Sequence, residues 1–268
     1  MFLLNAGNAV RSITGRQGDA APARIAVKNS NFSIPLDPET IRKNVVFKLD
    51  FDTIYGNFSV QRYIAPQFDF PARSDFNRPA DFSLQDQSSY TPTSPNDPSF
   101  ADSVWKNAAD CSVRAWLGWK KPNRLLLKVA VRDDIHFQDQ KGIMIYQGDG
   151  LQLFFSRTAT GGMWKLGAAL DNSGNIQKYC WIKPPNGNGD ELLADMKVTA
   201  SRNQADRETV YLLDFSAQKL GVVLGKPFRF NLLVNDNDGR CRVGYHSLTE
   251  VTDNGDNDRG YPIVTFKK

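Results

Sequence analysis

Residues 228–248 read Phe-Arg-Phe-Asn-Leu-Leu-Val-Asn-Asp-Asn-Asp-Gly-Arg-Cys-Arg-Val-Gly-Tyr-His-Ser-Leu, and this stretch decides the fold. Phe228, Phe230, Leu232 and Val234 fall on one parity, with Arg229, Asn231 and Asn235 on the other. That period of two marks a strand with one face on a core. Asp238-Gly239 is a pair that tight hairpin turns prefer, because it tolerates left-handed backbone, and Arg242 to Tyr245 returns as the partner strand. The same alternation recurs upstream. Leu125, Leu127, Val129 and Val131 share a face opposite Lys128 and Arg132; Leu151, Leu153 and Phe155 share another; Val210 to Phe215 forms a third strand. Only Ser216 to Val223 has a pattern for more than one helical turn, so a doubly wound α/β fold lacks its helices. Short strands separated by polar turns predict an all-β chain folded as an antiparallel β-sandwich.

Composition agrees with a folded chain. Its 268 residues suffice for one large domain, or one domain with a small companion. The apolar fraction is 41%, but 17 Phe, 8 Tyr and 5 Trp supply large side chains to bury. The net charge of +4 comes from scattered residues. With no run of like charge, neither nucleic acid nor a membrane surface is indicated as a partner. No stretch of roughly 18 apolar residues marks a membrane span. The first residues carry neither a charged leader nor a long apolar segment, which leaves two readings: a cytoplasmic chain, or a piece of a longer secreted one. Cys111, Cys180 and Cys241 are too few and too far apart for a disulfide scaffold or a zinc knuckle. They read as three buried thiols, or one bridge and a thiol.

Three regions follow from the punctuation. Residues 1–22 read as a flexible lead, 23–75 as a β-rich N-terminal segment or partial module, and 76–268 as the sandwich. Residues 66–98, rich in Pro, Ser, Asp and Asn, read as a long loop crossing one short strand at Phe82-Ser83-Leu84.

No catalytic signature for a serine hydrolase, a zinc protease, a nucleotide-phosphate loop or a dinucleotide-binding turn occurs. Carboxylates cluster at Asp133-Asp134, at Asp236 and Asp238, and at Asp253, Asp256 and Asp258. A glycosidase needs two carboxyls roughly 5–10 Å apart across a cleft, which spacing along a chain does not reveal. Such residues also serve as turn formers at strand ends.

Four segments gain meaning together: Val104 to Trp119 (VWKNAADCSVRAWLGW), Val129 to Gln138 (VAVRDDIHFQ), Tyr146 to Phe155 (YQGDGLQLFF) and Phe228 to Leu248. Their order and spacing resemble the family 9 carbohydrate-binding modules and their DOMON-like β-sandwich relatives, over roughly residues 82–266. The resemblance implies a jelly-roll or immunoglobulin-like sandwich with a β-rich N-terminal extension. It also implies a non-catalytic function, binding sugar chains or their ends between aromatic rings with amides, carboxylates and an arginine on the hydroxyls. By position Tyr146 matches the aromatic before the Gly-Asp strand and Gln152 the polar position within it. An unbroken strand would put both on one face, with Gly148 and Gly150 leaving room between them. Leu248 stands where the second ring of the clamp belongs, and Trp164 or Trp181 could replace it. Asn235 and Arg242 are candidate hydroxyl ligands. A structural calcium is a family feature, and Asp236 and Asp238 are the candidate ligands. The resemblance further implies an extracellular or periplasmic accessory domain of a polysaccharide-active protein. Two alternatives stay open: a glycoside hydrolase with unplaced carboxylates, and a haem-binding DOMON-like redox domain using His136 with Met144 or Met163.

Overall fold

A computed structural model describes residues 10–17, 23–25, 27–28, 31–32, 45–53, 56–93, 105–157, 162–239, 241–249 and 257–267. The chain divides into two units at Pro66/Gln67. The first holds a four-stranded antiparallel sheet in the order β2-β1-β5-β6, formed by β1 (Val10–Gln17), β2 (Ala23–Ile25), β5 (Val45–Thr53) and β6 (Gly56–Ile64), together with a small ladder of β3 (Val27–Lys28) and β4 (Asn31–Phe32). Ile13, Leu49 and Phe51 are its buried apolar side chains among those described. Residues 10–17 are therefore strand, where a flexible lead was expected. Hydrogen bonding to β5 over Val10–Gln17 overrides the polar, glycine-containing sequence.

The second unit is a sandwich of two sheets. The smaller runs in the order β15-β16-β11-β10-β8, from β8 (Phe82–Leu84), β10 (Cys111–Lys120), β11 (Arg124–Asp133), β15 (Lys197–Asn203) and β16 (Glu208–Ser216). The larger runs β14-β13-β12-β17-β18-β9, from β9 (Tyr90–Pro92), β12 (Gly150–Arg157), β13 (Met163–Leu170), β14 (Ile176–Ile182), β17 (Phe228–Asn237) and β18 (Arg242–Ser247). At its end β19 (Ile263–Lys267) pairs with β17 and, in parallel, with β7 (Gln67–Pro71). The strand at 67–71 thus belongs to the sandwich, ahead of the expected start at 76, and the 66–98 stretch holds three strands where one was expected. Each of those three is five residues or shorter and exists through its partner strand.

Between the sheets the inward parity anticipated above is buried without exception. Leu125, Leu127, Val129 and Val131 meet Leu151, Leu153, Phe155, Phe228, Phe230, Leu232 and Val234. Fully burying one such side chain contributes roughly 1.5–3 kcal/mol, so the register of every central strand is strongly specified. Two helices close the unit. α1 (Gly189–Asp195) was not expected from its sequence, but the Asn188 side chain caps Glu191 N–H and Asp190 and Glu191 sit favourably in its first turn. α2 (Ala217–Leu220) falls within the expected helix, ended by Gly221 in left-handed backbone (φ 76°). No described helix is long and apolar enough to cross a membrane. All three cysteines are free thiols, Cys111 buried and the others partly so.

Candidate functional site

The outer face of the large sheet carries the chemistry. Gln152 on β12 pairs across the ladder with Gly167 on β13, and Gly167 with Tyr179 on β14. On the other side Gly150 pairs with Asn235 on β17, and Asn235 with Tyr245 on β18. Opposite residues share a face, so Gly167, Gln152, Asn235 and Tyr245 lie on one surface between the two edges of the sheet.

Gly167 has a specific job. A Cβ there would stand 2.4 Å from Trp181 Cη2 and 2.7 Å from Ile145 Cδ1, so only glycine lets the indole lie flat over β13. Trp181 Nε1 donates to the Ile143 carbonyl at 2.9 Å. The ring meets Tyr179 at 5.5 Å and Tyr146 edge-on at 6.3 Å and 74°. Tyr146, Tyr179 and Trp181 are each half-buried, which leaves ring surface toward solvent. Tyr245 supplies the aromatic at the opposite side.

Tyr146 arrives there differently from the expected route. The strand begins at Gly150, and Tyr146 belongs to a 3-10 helix over Gly142–Gln147. The space at Gly148 is filled by Gln138, whose Oε1 would lie 2.5 Å from an added Cβ, and the space at Gly150 by Ala169. These glycines admit protein neighbours, so they leave no room for a ligand. Gln138 is fully buried and donates from Nε2 to the carbonyls of Ile145 (3.0 Å) and Asp149 (2.9 Å), which fixes the turn carrying Tyr146.

Gln152 Nε2 donates to Asn235 Oδ1 at 2.9 Å. That contact orients the Asn235 amide, and its Nδ2 is buried with no partner among the described residues. Arg242 joins through a backbone irregularity: Asp236 pairs with Gly244 but Asn237 pairs with Arg242, so Val243 is an extra residue in β18. Simple alternation from Tyr245 would send Arg242 to the inner face; the bulge re-aims it to the outer one. Its guanidinium lies 4.7 Å from the Tyr245 ring centroid and its buried Nε has no partner. Burial pulls Arg242 down to about 10, so it stays charged at neutral pH.

Of the expected sugar ligands, the structure gathers Tyr146, Gln152, Trp181, Asn235 and Arg242 on this face. Trp164 is a correction. It pairs with Phe155 on the inward parity and packs in the core, 3% exposed. Leu248 also lies in the core and occupies no clamp position. Tyr179 and Tyr245 were missed. Their signal was cross-strand register, which one strand's alternation cannot supply.

The acidic residues lie at one end of the sandwich. Asp236 points inward, accepts from Tyr90 Oη at 2.8 Å, and is raised to about 7 by burial and by Asp238. Burial, with Asp110 and Asp134, raises Asp238 to about 6. Deeper, Asp133, His136 and Asp149 bring ligand-type atoms within 4.8 Å of one another, the one such group of three among the described residues. Burial and the charge of Asp236 push Asp133 up to about 8, and burial with Asp133 pushes Asp149 up. Asp149 accepts backbone N–H groups from Asn237 (2.7 Å) and Phe137 (2.5 Å), and Asp133 accepts one from Ile135 (2.9 Å). Two neighbouring buried carboxyls cannot both ionise readily, so the pair holds a proton and ties the end of β11 to the start of β12. His136 Nε2 meets the Leu170 carbonyl at 2.9 Å and Nδ1 faces Asp149 at 3.4 Å. Neither nitrogen is open to a haem iron. Met163 packs against Phe154, Leu233 and Tyr261.

No family model matches the chain, and no curated protein matches it. Solved structures do. A family 9 carbohydrate-binding module from Caldicellulosiruptor kristjanssonii in complex with glucose superposes with a TM-score of 0.51 at 13% identity, covering 75% of this chain and 95% of the module. A family 9 module from the same organism with cellotriose gives 0.48 at 12% identity, covering 76% and 94%. A protein from Bacteroides uniformis, described as a candidate carbohydrate-binding protein, gives 0.49 at 9% identity, covering 76% and 100%. The first likeness places the chain's β-sandwich in the architecture of those modules.

Proposed function

We propose that residues 67–268 form a non-catalytic carbohydrate-binding module. One observation carries the reading: half-buried rings of Tyr146, Tyr179, Trp181 and Tyr245 border a polar floor whose buried Asn235 Nδ2 has no partner among the described residues. A sugar offers what this surface lacks, C–H faces for the rings and hydroxyl oxygens for the donor. An unpaired buried donor costs about 1–3 kcal/mol, and a bound hydroxyl would recover part of it. The sandwich architecture shared with the glucose-bound module supports the same reading. No bond is made or broken; the site is preformed and the affinity modest, because a hydroxyl-rich ligand gives up water on binding.

Polysaccharides do not cross membranes, so the module would act outside the cytoplasm, extracellular or periplasmic, as an accessory domain of a polysaccharide-active protein. A structural calcium would sit at the Asp236–Asp238 turn, where Asp110 and Asp134 add negative charge that a hard divalent cation would neutralise. Calcium that raises the melting temperature, and an effect lost in Asp238→Asn, is the expected result; identical melting in calcium and in chelator would remove the ion from the account.

The test of the main reading is a glycan array probed with the wild type, Tyr146→Ala and Trp181→Ala, each verified as folded by circular dichroism. Binding by the wild type that both variants lose is expected. Folded wild-type protein that binds no glycan would overturn the proposal.

A further inference from the structure

We infer that the sugar held on this face carries a carboxylate, as a uronic acid does, and that Arg242 and Asn235 are the pair that recognises it; the inference rests on the carbohydrate-binding reading above. The argument is a balance of donors and charge. Arg242 brings a guanidinium whose buried Nε donates to nothing. No carboxylate pairs with it among the described residues; the titratable groups around it are the neutral hydroxyls of Tyr245, Tyr146 and Tyr90. Beside it Asn235 has its carbonyl oxygen occupied by Gln152 and its NH2 unpaired. Arg242 Nε and Asn235 Nδ2 are therefore both donors without a partner among the described residues.

The outward positions of the central strands contain no acid, and Asp258, which reaches this face from outside them, is engaged by Ser156 and Arg229. Those positions are Gly150, Gln152, Phe154 and Ser156 on β12; Met163, Lys165, Gly167 and Ala169 on β13; Arg229, Asn231, Leu233 and Asn235 on β17. A site for a neutral sugar serves hydroxyls, which donate as well as accept, and benefits from carboxylate acceptors. This surface presents two unsatisfied donors and the fixed positive charge of Arg242, a set satisfied by an acceptor-only anion. The planar fork of an arginine matches a carboxylate with two parallel hydrogen bonds. The half-buried position strengthens that contact relative to water.

Isothermal titration of the full chain decides the matter. The ligands are tetragalacturonate and tetraglucuronate, the same two oligomers after chemical reduction of their carboxyls to neutral hydroxymethyl groups, and a sulfated neutral tetrasaccharide. The expected result is a uronate binding at least tenfold tighter than its reduced counterpart. That preference should weaken as salt rises from 50 to 500 mM and narrow to under twofold in Arg242→Gln. A reduced oligomer that binds as well as the uronate overturns the carboxylate while leaving carbohydrate binding in place. A sulfated sugar preferred over both uronates also overturns it. No binding to any of the five overturns the carboxylate, and the glycan array then decides carbohydrate binding itself. If Arg242→Gln does not fold, the wild-type comparison of uronate and reduced ligand decides alone.

Discussion

Replacing Gly167 by alanine tests whether the platform for the sugar depends on one missing methyl group. The added Cβ would stand 2.4 Å from Trp181 Cη2 and 2.7 Å from both Trp181 Cζ3 and Ile145 Cδ1. Carbon atoms settle at about 3.5–4.0 Å, so the indole must retreat by about 1 Å or more. It cannot do so freely: Nε1 is held by the Ile143 carbonyl, and Tyr179 and Tyr146 crowd two sides. Overpacking of this kind costs about 1–3 kcal/mol, and a lost Nε1 hydrogen bond adds about 1 kcal/mol. For a sandwich of this size each kcal/mol moves the midpoint by about 2–4 °C, so calorimetry should show Gly167→Ala melting about 4–16 °C lower. Sugar affinity should fall about tenfold or more as the ring tilts. A double-mutant cycle sharpens the test. In a Trp181→Ala background the same Gly167→Ala change should cost far less, because its main obstacle is gone. Wild-type stability and binding in the single variant, or an undiminished cost in the double variant, would refute the reasoning.

Stability should fall as pH rises through the range set by the buried acid pair. Asp133 ionises near 3.9 when unfolded and near 8 when folded, so across that window the native state holds a proton that the unfolded chain releases. Burial moves His246 the other way, down to about 4, which costs stability as pH falls below about 6.5. The carboxyl effect therefore reads cleanly between about pH 6.5 and 8. Urea titrations there should show stability declining in the wild type and declining less steeply in Asp133→Asn, where the raised Asp149 and Asp236 remain, and a flat wild-type profile would count against the shared proton. Gln138→Leu strips the donor from two buried carbonyls and should destabilise by about 2–4 kcal/mol. It should also weaken sugar binding through the displaced Tyr146 turn, and unchanged binding would uncouple that turn from the site. Arg78 and Asp81 form a buried ion pair that also bonds the Leu117 backbone at both N–H and carbonyl. Asp81→Ala should cost about 3–5 kcal/mol in urea unfolding by stranding a buried charge, and a loss under 1 kcal/mol would show that water reaches Arg78.

The amino-acid sequence by itself determined the long central strands of the sandwich and which of their faces is buried. Phe228, Phe230, Leu232 and Val234, or Leu125 through Val131, could be placed from alternation alone, because a one-residue slip would expose every apolar side chain. It also marked Gln152 and Asn235 as opposite in parity to the core. Tertiary structure decided what those positions do. Trp164 and Trp181 look alike as aromatic residues near strands, yet register with Phe155 sends Trp164 inward, while the absent side chain at Gly167 lets Trp181 lie outward. Short strands such as Gln67–Pro71 carry too few residues to show a period and exist only through their partners. The bulge at Val243 cannot be read from one strand, because it is defined by a count of two residues against one on the neighbour. That count carries Arg242 to the same face as Asn235. Local pattern is a property of one segment, whereas a binding surface is assembled from segments nearly a hundred residues apart, and only the packed sheets bring them into register.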